Sequence, residues 1–479
     1  MDRRFYVLLC CATVLFLLFQ ITKTVEKTQD LRIEKYAPKV VVKDVRSTRR
    51  FKNVIVHMDL KGAPPKIEYY EKFFELLQNL QVDGVLMEYE DMFPYEGEIE
   101  VIRRKDSYSK DEIRKIIEIA TRRNLEVIPL IQTFGHLEFL LKHEKFKHLS
   151  ENLNDLTAIC PSDSKSFEII NEIMKQVRNL HPNSKRIHIG ADEAFHIGED
   201  KRCSDRMREE KLTKSSLKLG HIARVANLAK SNGFSDILAW YDMFEKESEE
   251  SMKAVDLSGA ITPVVWGYAE NVAKPGYFSA GLFDRMYNVF DKFYVASAFR
   301  GAVHKDTQFM DIPRYIETHR SYTELMKQNP TPAKKLAGIF VTGWARVAHP
   351  LPLMELLPVS IPSLVADLIY INSEPADNRE IWKDLKERLN CQKPHVIEGT
   401  EAEKGLENCE FDGVEVYRTI MVDWKSIMDR KKSANANDAE LKKEASQVLE
   451  KLRINLEPIL YRRDIDELCI QLLNGFEKS

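Results

Sequence analysis

Two adjacent carboxylic acids, Asp192 and Glu193, follow a short apolar run, Arg186–Gly190 (RIHIG). Neighbouring carboxylates in different surroundings can divide acid–base work, one donating a proton while the other stays ionised. The same pair can also be a helix start, with Asp192 as the N-cap and Glu193 in the first turn. On the pair alone, both interpretations stay open.

Three of the five tryptophans stand at the ends of other apolar runs, in Trp240-Tyr241-Asp242, Trp266-Gly267-Tyr268 and Thr342-Gly343-Trp344. An indole face stacks on the C–H face of a sugar ring, while the sugar hydroxyls need polar partners. Tryptophans gathered around Asp192 and Glu193 therefore favour a carbohydrate site over a helix cap.

A repeating scaffold must hold these residues. From residue 51, short β-rich runs alternate with segments of helical periodicity, such as Ile67–Leu80 and Lys110–Arg123. Eight runs are predicted as strands: Val54–Asp59, Gly84–Glu88, Leu125–Ile131, Arg186–Gly190, Ile237–Tyr241, Pro263–Trp266, Phe293–Ser297 and Gly338–Thr342. Eight such units predict an α/β fold, a (β/α)8 TIM barrel over residues 51–370. An open doubly wound sheet is the alternative, but no dinucleotide-binding Gly-x-Gly-x-x-Gly follows the first run.

The barrel prediction tells us where the chemistry lies. Catalytic groups of such barrels gather at the carboxyl ends of the strands, where the acids and tryptophans stand. The remaining residues, 371–479, are charged and helix-prone, especially Asp438–Arg453 and Asp464–Leu473, and are predicted to pack as helices beside the barrel.

The N-terminus predicts membrane attachment. Arg3 and Arg4 precede 18 uncharged residues, Phe5–Thr22, within the about 17–25 that a spanning helix needs. We interpret residues 1–22 as an uncleaved signal anchor and residues 23–50 as a stem. This is a single-pass type II arrangement with a luminal catalytic domain, and Golgi is the expected location. Secretion after signal cleavage is the alternative.

The charge balance and the cysteines limit the kinds of ligand and cross-link that the chain can have. The net charge of -3 offers no excess of basic residues for nucleic acid. Of the five cysteines after the anchor, Cys391 and Cys409 flank a polar loop that a disulfide could close, and no Cys/His spacing indicates a metal site.

Seven blocks resemble, in order, the β-N-acetylhexosaminidases of glycoside hydrolase family 20, closest to the hexosaminidase D branch. They are HMDLKGAPP (57–65), MEYEDMFPYEG (87–97), VIPLIQTFGHLEF (127–139), HIGADE (188–193), VVWGYAE (264–270), ASAFRGA (296–302) and TGWARVAHPLPLMELLP (342–358). The resemblance implies exo-hydrolysis of terminal β-linked GlcNAc or GalNAc from glycans, without metal or cofactor. It also implies retention of configuration, with the substrate's 2-acetamido oxygen as the nucleophile.

The resemblance also implies residue roles. Glu193 would protonate the leaving oxygen, and Asp192 would orient the acetamido group and stabilise the oxazolinium. His136, in a Phe-Gly-His turn, would lie near the acid, with a purely structural turn histidine as the open alternative. The sugar would be walled by Trp240, Trp266 and Trp344, with Tyr268 as a donor to the acetamido oxygen and Asp242 as an acceptor of a hydroxyl.

The chain departs from the family pattern at two places. Val54 stands where much of the family has an arginine that grips the sugar's 3- and 4-hydroxyls, which leaves Asp59, Lys61, Glu90 and Asp91 as polar replacements. GlcNAc and GalNAc are therefore not separated. The family's Trp-x-Glu is here Trp344-Ala345-Arg346. Arg346 could bind a hydroxyl or an acidic group, but a surface arginine at a helix start is the favoured interpretation.

Two other functions stay open at this point. One is a non-catalytic membrane-anchored lectin on a degenerate barrel. The other is a glycosidase with two separated carboxylates, Glu88 or Glu90 acting with Glu193, for which the substrate's acetamido group would be dispensable.

Overall fold

Eight parallel strands close into a barrel in the computed structural model, which describes residues 49–373, 377–392, 405–432 and 438–478. We number the strands β1 to β10 along the chain. The barrel strands are β1 (Val54–Asp59), β2 (Gly84–Glu88), β3 (Glu126–Leu130), β6 (Arg186–His188), β7 (Asp236–Trp240), β8 (Thr262–Trp266), β9 (Phe293–Arg300) and β10 (Leu336–Gly343). All eight predicted strands are confirmed, with differences only at their ends.

The barrel closes where β1 pairs with β10, with Val54 opposite Ile339. Neighbours run in the order β1, β10, β9, β8, β7, β6, β3, β2. The strands β4 (Ser150–Asn152) and β5 (Asp155–Ile159) form a separate antiparallel hairpin. This hairpin lies between β3 and β6 in the chain and was not predicted.

The strands read as continuous apolar runs because both of their faces are buried. Alternate side chains divide between two cores: Ile55 lies in the barrel interior with Leu86 and Phe340, while Val54 and Val56 belong to the larger core that includes the surrounding helices. Alternate side chains along each strand therefore point to opposite faces, so that one set fills the barrel interior and the other packs against the helices.

Twelve helices accompany the barrel within residues 49–373: α1 (Ile67–Asn79), α2 (Lys110–Arg122), α3 (Glu138–Leu141), α4 (Glu144–Lys147), α5 (Ser164–Leu180), α6 (Lys201–Glu210), α7 (Lys214–Ser231), α8 (Glu249–Ala254), α9 (Leu257–Ala260), α10 (Leu282–Val289), α11 (Ile312–Gln328) and α12 (Ile361–Asn372). The sequence basis is plain in α2, which buries Ile113, Ile116 and Ala120 and begins at a capping box between Ser109 and Glu112.

The predicted helical C-terminal region is confirmed. It contains α13 (Asn378–Arg388), α14 (Val414–Arg418), α15 (Lys425–Lys431), α16 (Asp438–Leu456) and α17 (Arg462–Lys478), with a π-helical stretch, Thr419–Trp424, between α14 and α15. A disulfide joins Cys391 to Cys409, as the sequence allowed.

Helix α17 is tied to loops that follow barrel strands. Arg104 binds Asp464 at 3.0 Å, and Gln471 exchanges two hydrogen bonds with the backbone of Leu353. These loops lie at the carboxyl ends of the strands, so the C-terminal region reaches the mouth of the barrel.

The predicted anchor lies outside the described residues, as does nearly all of the predicted stem. Within the described ranges, no helix is both long and apolar enough to cross a membrane.

Candidate active site

The loop after β6 carries the two adjacent acids in an unusual backbone. Ala191 (φ 68°) and Glu193 (φ 49°) both adopt the left-handed conformation, which costs a residue with a Cβ about 1–3 kcal/mol and persists only where the surroundings enforce it. The next helix, α6, begins at Lys201 and is capped by Asp200. The interpretation of Asp192 and Glu193 as a helix cap is therefore wrong.

A second loop, after β3, packs directly against the first. A Cβ on Gly135 would lie 2.1 Å from the backbone oxygen of Asp192, so only glycine permits this approach. The approach brings His136 (φ 54°) to both acids: its Nε2 lies 3.1 Å from Glu193 Oε2 and 3.4 Å from Asp192 Oδ2. The three predicted residues form one cluster.

In this cluster one imidazole, that of His136, contacts two carboxylates. Burial alone favours a neutral imidazole, but Asp192 and Glu193 raise the pKa of His136 well above its ordinary value. The hydrogen bond from His136 in turn lowers the pKa of Glu193. A general acid donates most readily when its pKa is raised, whereas here the two shifts favour a protonated His136 beside an ionised Glu193.

Asp242 lies beside the acids and supports them. Its Oδ2 accepts the backbone N–H of Glu193 at 2.8 Å, and its Oδ1 accepts Trp266 Nε1–H at 3.2 Å. Burial, and then the charge of Asp192, raise the pKa of Asp242 to about 7. Both carboxylate oxygens of Asp242 thus already accept hydrogen bonds from the protein, and Asp242 does not line the cavity beside the acids. Its placement fits a role in positioning Glu193 and Trp266 better than contact with a sugar hydroxyl.

The acids open into a cavity of about 190 Å³. Its volume is below the roughly 300–1,000 Å³ of typical drug-sized sites, which suits a single sugar unit. The cavity wall contains all the predicted aromatic residues: Trp240, Trp266, Tyr268 and Trp344. Trp266 and Tyr268 stack at 5.4 Å, and Trp240 approaches Trp344 at 6.2 Å between ring centroids. The three tryptophans do meet at one mouth, as the strand ends predicted.

Five buried polar atoms of residues that line this cavity lack hydrogen-bond partners within the described part of the chain: Gln132 Oε1, Asp192 Oδ1, Trp240 Nε1, Trp344 Nε1 and Arg346 Nε. Buried polar atoms are nearly always paired, so such atoms beside a cavity indicate a missing polar ligand. Burial also raises the pKa of Tyr268, which keeps its phenol protonated. The site therefore offers both an anionic acceptor and neutral donors.

Among the four proposed replacements for the strand-one arginine, Lys61 alone lines the cavity. Its Nζ lies 3.2 Å from Glu90 Oε1 and 3.8 Å from Asp59 Oδ1. Burial disfavours the ammonium, but Asp59, Glu90 and Glu88 raise the pKa of Lys61 well above its ordinary value. A permanent cation thus stands at the sugar wall.

The other acids near the ends of β1 and β2 are engaged elsewhere. Glu88 accepts from Gln132 at 3.0 Å and pairs with His57 at 2.9 Å, while Glu90 pairs with His349 at 2.6 Å. Of the described residues that line the cavity, Asp192 and Glu193 are the two carboxylic acids. A glycosidase mechanism that pairs Glu193 with Glu88 or Glu90 therefore lacks its second carboxylate at the cavity wall.

The favoured interpretation of Arg346 as a surface arginine at a helix start is wrong. Arg346 is only 5% exposed, and no described helix begins at it. Its guanidinium is buried because it packs over Gly62, where a Cβ added to the glycine would lie 2.2 Å from Arg346 Nη2. Its Nη2 pairs with Glu467 of α17 at 2.7 Å, and Nη1 donates to the backbone oxygen of His349. The sequence could not show that a residue 121 positions away compensates this charge.

Four further residues of the cavity wall were missed: Gln132, Gly301, Val347 and Met354. Gln132 directly follows the predicted third strand, so the rule that strand ends carry chemistry would have found it. Gly301, Val347 and Met354 lie in loops away from the predicted strand ends, but within two blocks that resemble the family, ASAFRGA (296–302) and TGWARVAHPLPLMELLP (342–358).

Comparison with known proteins agrees with this geometry. A model of the glycosyl hydrolase family 20 catalytic domain matches residues 81–350. Hexosaminidase D from Bos taurus is 37% identical over 316 residues, 66% of this chain and 90% of that protein. Hexosaminidase D from Homo sapiens is 37% identical over 321 residues. The chain spans 65% of the length of this human relative.

Solved structures share the fold. A chitobiase from Flavobacterium johnsoniae superposes with a TM-score of 0.55 at 14% identity, covering 90% of this chain and 72% of that one. A β-N-acetylhexosaminidase from Bacteroides fragilis gives 0.51 at 16% identity, covering 72% of this chain and 71% of that one. At these identities the likeness shows the fold alone.

Proposed function

Because the chain belongs to glycosyl hydrolase family 20, we propose that it removes terminal, non-reducing β-linked N-acetylhexosamine from glycans. One observation carries the proposal: Asp192, Glu193 and His136 meet at a cavity sized for one sugar and walled by three tryptophans. A cavity that takes one unit favours exo-action, since an internal unit of a glycan would need an opening on both sides.

The unpartnered oxygen of Asp192 supports a role for this residue in binding the substrate's acetamido group. Asp192 Oδ1 accepts the acetamido N–H, which turns the carbonyl oxygen toward the anomeric carbon. That oxygen attacks as the bond to the leaving oxygen breaks, and Glu193 delivers a proton to the leaving oxygen. The fixed charge of Asp192 stabilises the positive oxazolinium, and water then opens it with overall retention.

The proton must first reach Glu193. The raised pKa of His136 and the lowered pKa of Glu193 favour the proton on His136, whose Nε2 lies 3.1 Å from Glu193 Oε2. A sugar that covers both groups removes water, and loss of water favours the neutral imidazole and the neutral acid over the ion pair. We therefore assign His136 as the residue that supplies the proton to Glu193 when substrate binds.

Three aryl glycosides test the proposal with the full chain: the p-nitrophenyl β-N-acetylglucosaminide, the β-N-acetylgalactosaminide and the plain β-glucoside. We expect release of p-nitrophenol from one or both of the acetamido sugars and none from the glucoside. Equal turnover of the glucoside would refute acetamido participation, and binding of all three without turnover would identify a lectin. The same assay measures the preference between GlcNAc and GalNAc.

We also propose that residues 1–22 anchor the enzyme as a type II membrane protein with its barrel in the lumen, in the Golgi. The apolar run Phe5–Thr22 after Arg3 and Arg4 supports this. The disulfide Cys391–Cys409 also supports it, because disulfides persist in secretory compartments. Protease protection of the barrel in sealed microsomes tests the topology, and recovery of a soluble, shortened chain in the medium would favour the secreted alternative.

A further inference from the structure

The loop that carries the two acids is supported by the β4–β5 hairpin. We call residues 189–200 the acid loop. Glu151 of β4 is buried, and its Oε1 accepts three consecutive backbone N–H groups at the end of this loop: Gly198 at 2.7 Å, Glu199 at 2.8 Å and Asp200 at 3.0 Å. Hydrogen bonds to a carboxylate are stronger than those between neutral groups. Glu151 therefore fixes the acid loop where it enters α6.

The same hairpin supports the loop that carries His136. Ile159 of β5 donates its backbone N–H to the backbone oxygen of Phe134 at 3.0 Å. Leu137 donates in turn to the backbone oxygen of Thr157, also in β5, at 2.9 Å. These two bonds hold the chain on both sides of His136. The hairpin therefore contacts both of the loops that bring His136 to the acids.

Two cysteines face each other where the hairpin meets α6. Cys160 directly follows β5, and Cys203 lies in the first turn of α6. Both side chains are fully buried, and their sulfurs are 3.3 Å apart. Arg202, next to Cys203, donates to the backbone oxygen of Ser150 at 3.1 Å, which holds α6 against the hairpin. A disulfide has an S–S distance of about 2.05 Å, so the two sulfurs need to approach by only about 1.3 Å to bond.

A metal site at the two sulfurs is the alternative, because Glu151 Oε2 lies 3.1 Å from Cys203 Sγ. Among the described residues this cluster offers three ligand atoms, from Glu151, Cys160 and Cys203, whereas a structural zinc ion takes four. Two thiolates at about 2.3 Å from one tetrahedral zinc ion would be about 3.8 Å apart. The observed sulfurs are closer than that. The geometry therefore favours a bond between the sulfurs over a shared metal.

We propose that Cys160 and Cys203 form a second disulfide, which ties the acid loop to the β4–β5 hairpin and so positions the acids beside His136. The bond joins residues 43 positions apart in the chain and encloses β6 and both acids. Left-handed residues such as Ala191 and Glu193 persist only where their surroundings enforce them, and the bond adds a covalent constraint to their loop. The cross-link is inferred independently of the proposed function, whereas its effect on turnover rests on that function.

The bond forms by thiol–disulfide exchange with a small disulfide of the secretory compartment, such as oxidised glutathione. The Cys203 thiolate attacks the glutathione disulfide and releases one glutathione thiolate. The Cys160 thiolate then attacks the sulfur of Cys203 in the mixed disulfide and releases the second. Two protein thiols are oxidised, one glutathione disulfide is reduced, and the two protein protons pass to the two glutathione thiolates. The hydrogen bond with Cys203 and burial raise the pKa of Cys160, so the exchange precedes closure of the hairpin over α6.

Peptide mapping tests the cross-link without any variant. The full chain is expressed in the secretory pathway of eukaryotic cells, alkylated in denaturant, digested without reduction and analysed by mass spectrometry. We expect a peptide pair joined through Cys160 and Cys203 that separates on reduction. Cys469, a buried free cysteine in α17, should be alkylated and serves as the internal control. Alkylation of both Cys160 and Cys203 would overturn the disulfide, and one zinc ion per chain with both thiols free would identify the metal site instead.

Kinetics test the positioning role. The double variant Cys160→Ala/Cys203→Ala removes the bond, and Cys469→Ala is the matched control, since it also replaces a buried cysteine. On a disaccharide with a non-reducing N-acetylhexosamine, we expect kcat of the double variant to fall about tenfold, because catalysis is sensitive to small displacements of the reacting groups. KM should change less than about twofold, since the tryptophans of the cavity wall are carried by other strands. The control should keep both wild-type values.

Each outcome separates the cross-link from the reaction. A wild-type kcat in the double variant, or a loss that falls equally on kcat and on binding, would overturn the positioning role. Circular dichroism verifies that both variants fold. A wild-type chain that hydrolyses no acetamido sugar would refute the proposed function, and in that case the peptide map still decides whether Cys160 and Cys203 are bonded.

Discussion

Two clusters of carboxylates stand at the mouth of the barrel and differ in how their charge is balanced. The first, which we call the paired cluster, contains Asp59, Glu88, Glu90 and Asp91 near the ends of β1 and β2. Its acids contact cations or imidazoles from several elements, namely Lys61, Lys142, His57 and His349. The second, the poised cluster, contains Asp192, Glu193 and Asp242, and its one cation among the described contacts is His136.

The difference separates structural from reactive carboxylates. Burial alone would raise the pKa of Glu88, but Lys61, His57 and Gln132 lower it further than burial raises it, so Glu88 stays ionised. In the poised cluster the shifts diverge: the pKa of Asp242 rises to about 7 while that of Glu193 falls. Opposite pKa shifts within one small group of acids are typical of sites that carry out acid–base chemistry.

The largest effect is expected for Glu193→Gln in the poised cluster. Glutamine cannot donate the proton, so kcat on a disaccharide should fall by about 10²–10⁴-fold, the usual contribution of a general acid. The matched change in the paired cluster, Glu90→Gln, should reduce kcat far less. Steady-state kinetics on both variants, with circular dichroism to verify folding, makes the comparison. Equal losses would show that the two clusters do not differ in function.

Lys61→Met should affect stability most. Removing the ammonium leaves Asp59 and Glu90 buried without this partner, and breaking a buried pair costs about 3–5 kcal/mol. The control is Lys142→Met, whose side chain is 41% exposed, so its ion pair with Asp91 should contribute at most about 1 kcal/mol. Urea unfolding measures both free energies. A loss for Lys61→Met no larger than for Lys142→Met would contradict the structural role of the paired cluster.

Asp192→Asn sharpens the account of the poised cluster. Removing this charge should lower kcat by about 10²–10³-fold, the effect of losing one preorganised electrostatic group. The pKa of both His136 and Asp242 should also fall, because the Asp192 charge raises both. Titration of the His136 ring by NMR follows this change separately from turnover. An unchanged His136 pKa would mean that the three groups do not share their charge.

The smallest effect is a pH dependence of stability due to Asp242. Its pKa is about 7 in the folded chain and ordinarily 3.8. Between these values the folded chain retains a proton that the unfolded chain has released, so the contribution of Asp242 to stability falls as the pH rises through this window. Asp242→Asn removes this dependence, and its Tm relative to wild type should become more positive from pH 5 to pH 8. A difference that does not vary with pH would contradict the raised pKa.

The sequence predicted the parts of this site that depend on local pattern. Strand period and strand ends located the eight strands, the acids after β6 and the three tryptophans. It could not supply the contacts between distant segments. The burial of Arg346 depends on Glu467 in α17, and the proton on His136 depends on a loop approach through Gly135. Neither contact has a periodic signature, so nothing in the sequence indicated the shift in the pKa of Glu193.

The attachment of α17 to the mouth has a consequence for synthesis of the chain. Arg346 and Glu467 are separated by 121 residues, so at about 5–20 residues per second a ribosome makes the partner roughly 6–24 s after the arginine. During that interval the nascent barrel carries an arginine destined for burial but without its counter-ion. The polar contacts of the mouth loops with α17, made by Arg104, Arg346 and Leu353, can therefore form only after the barrel itself has been translated.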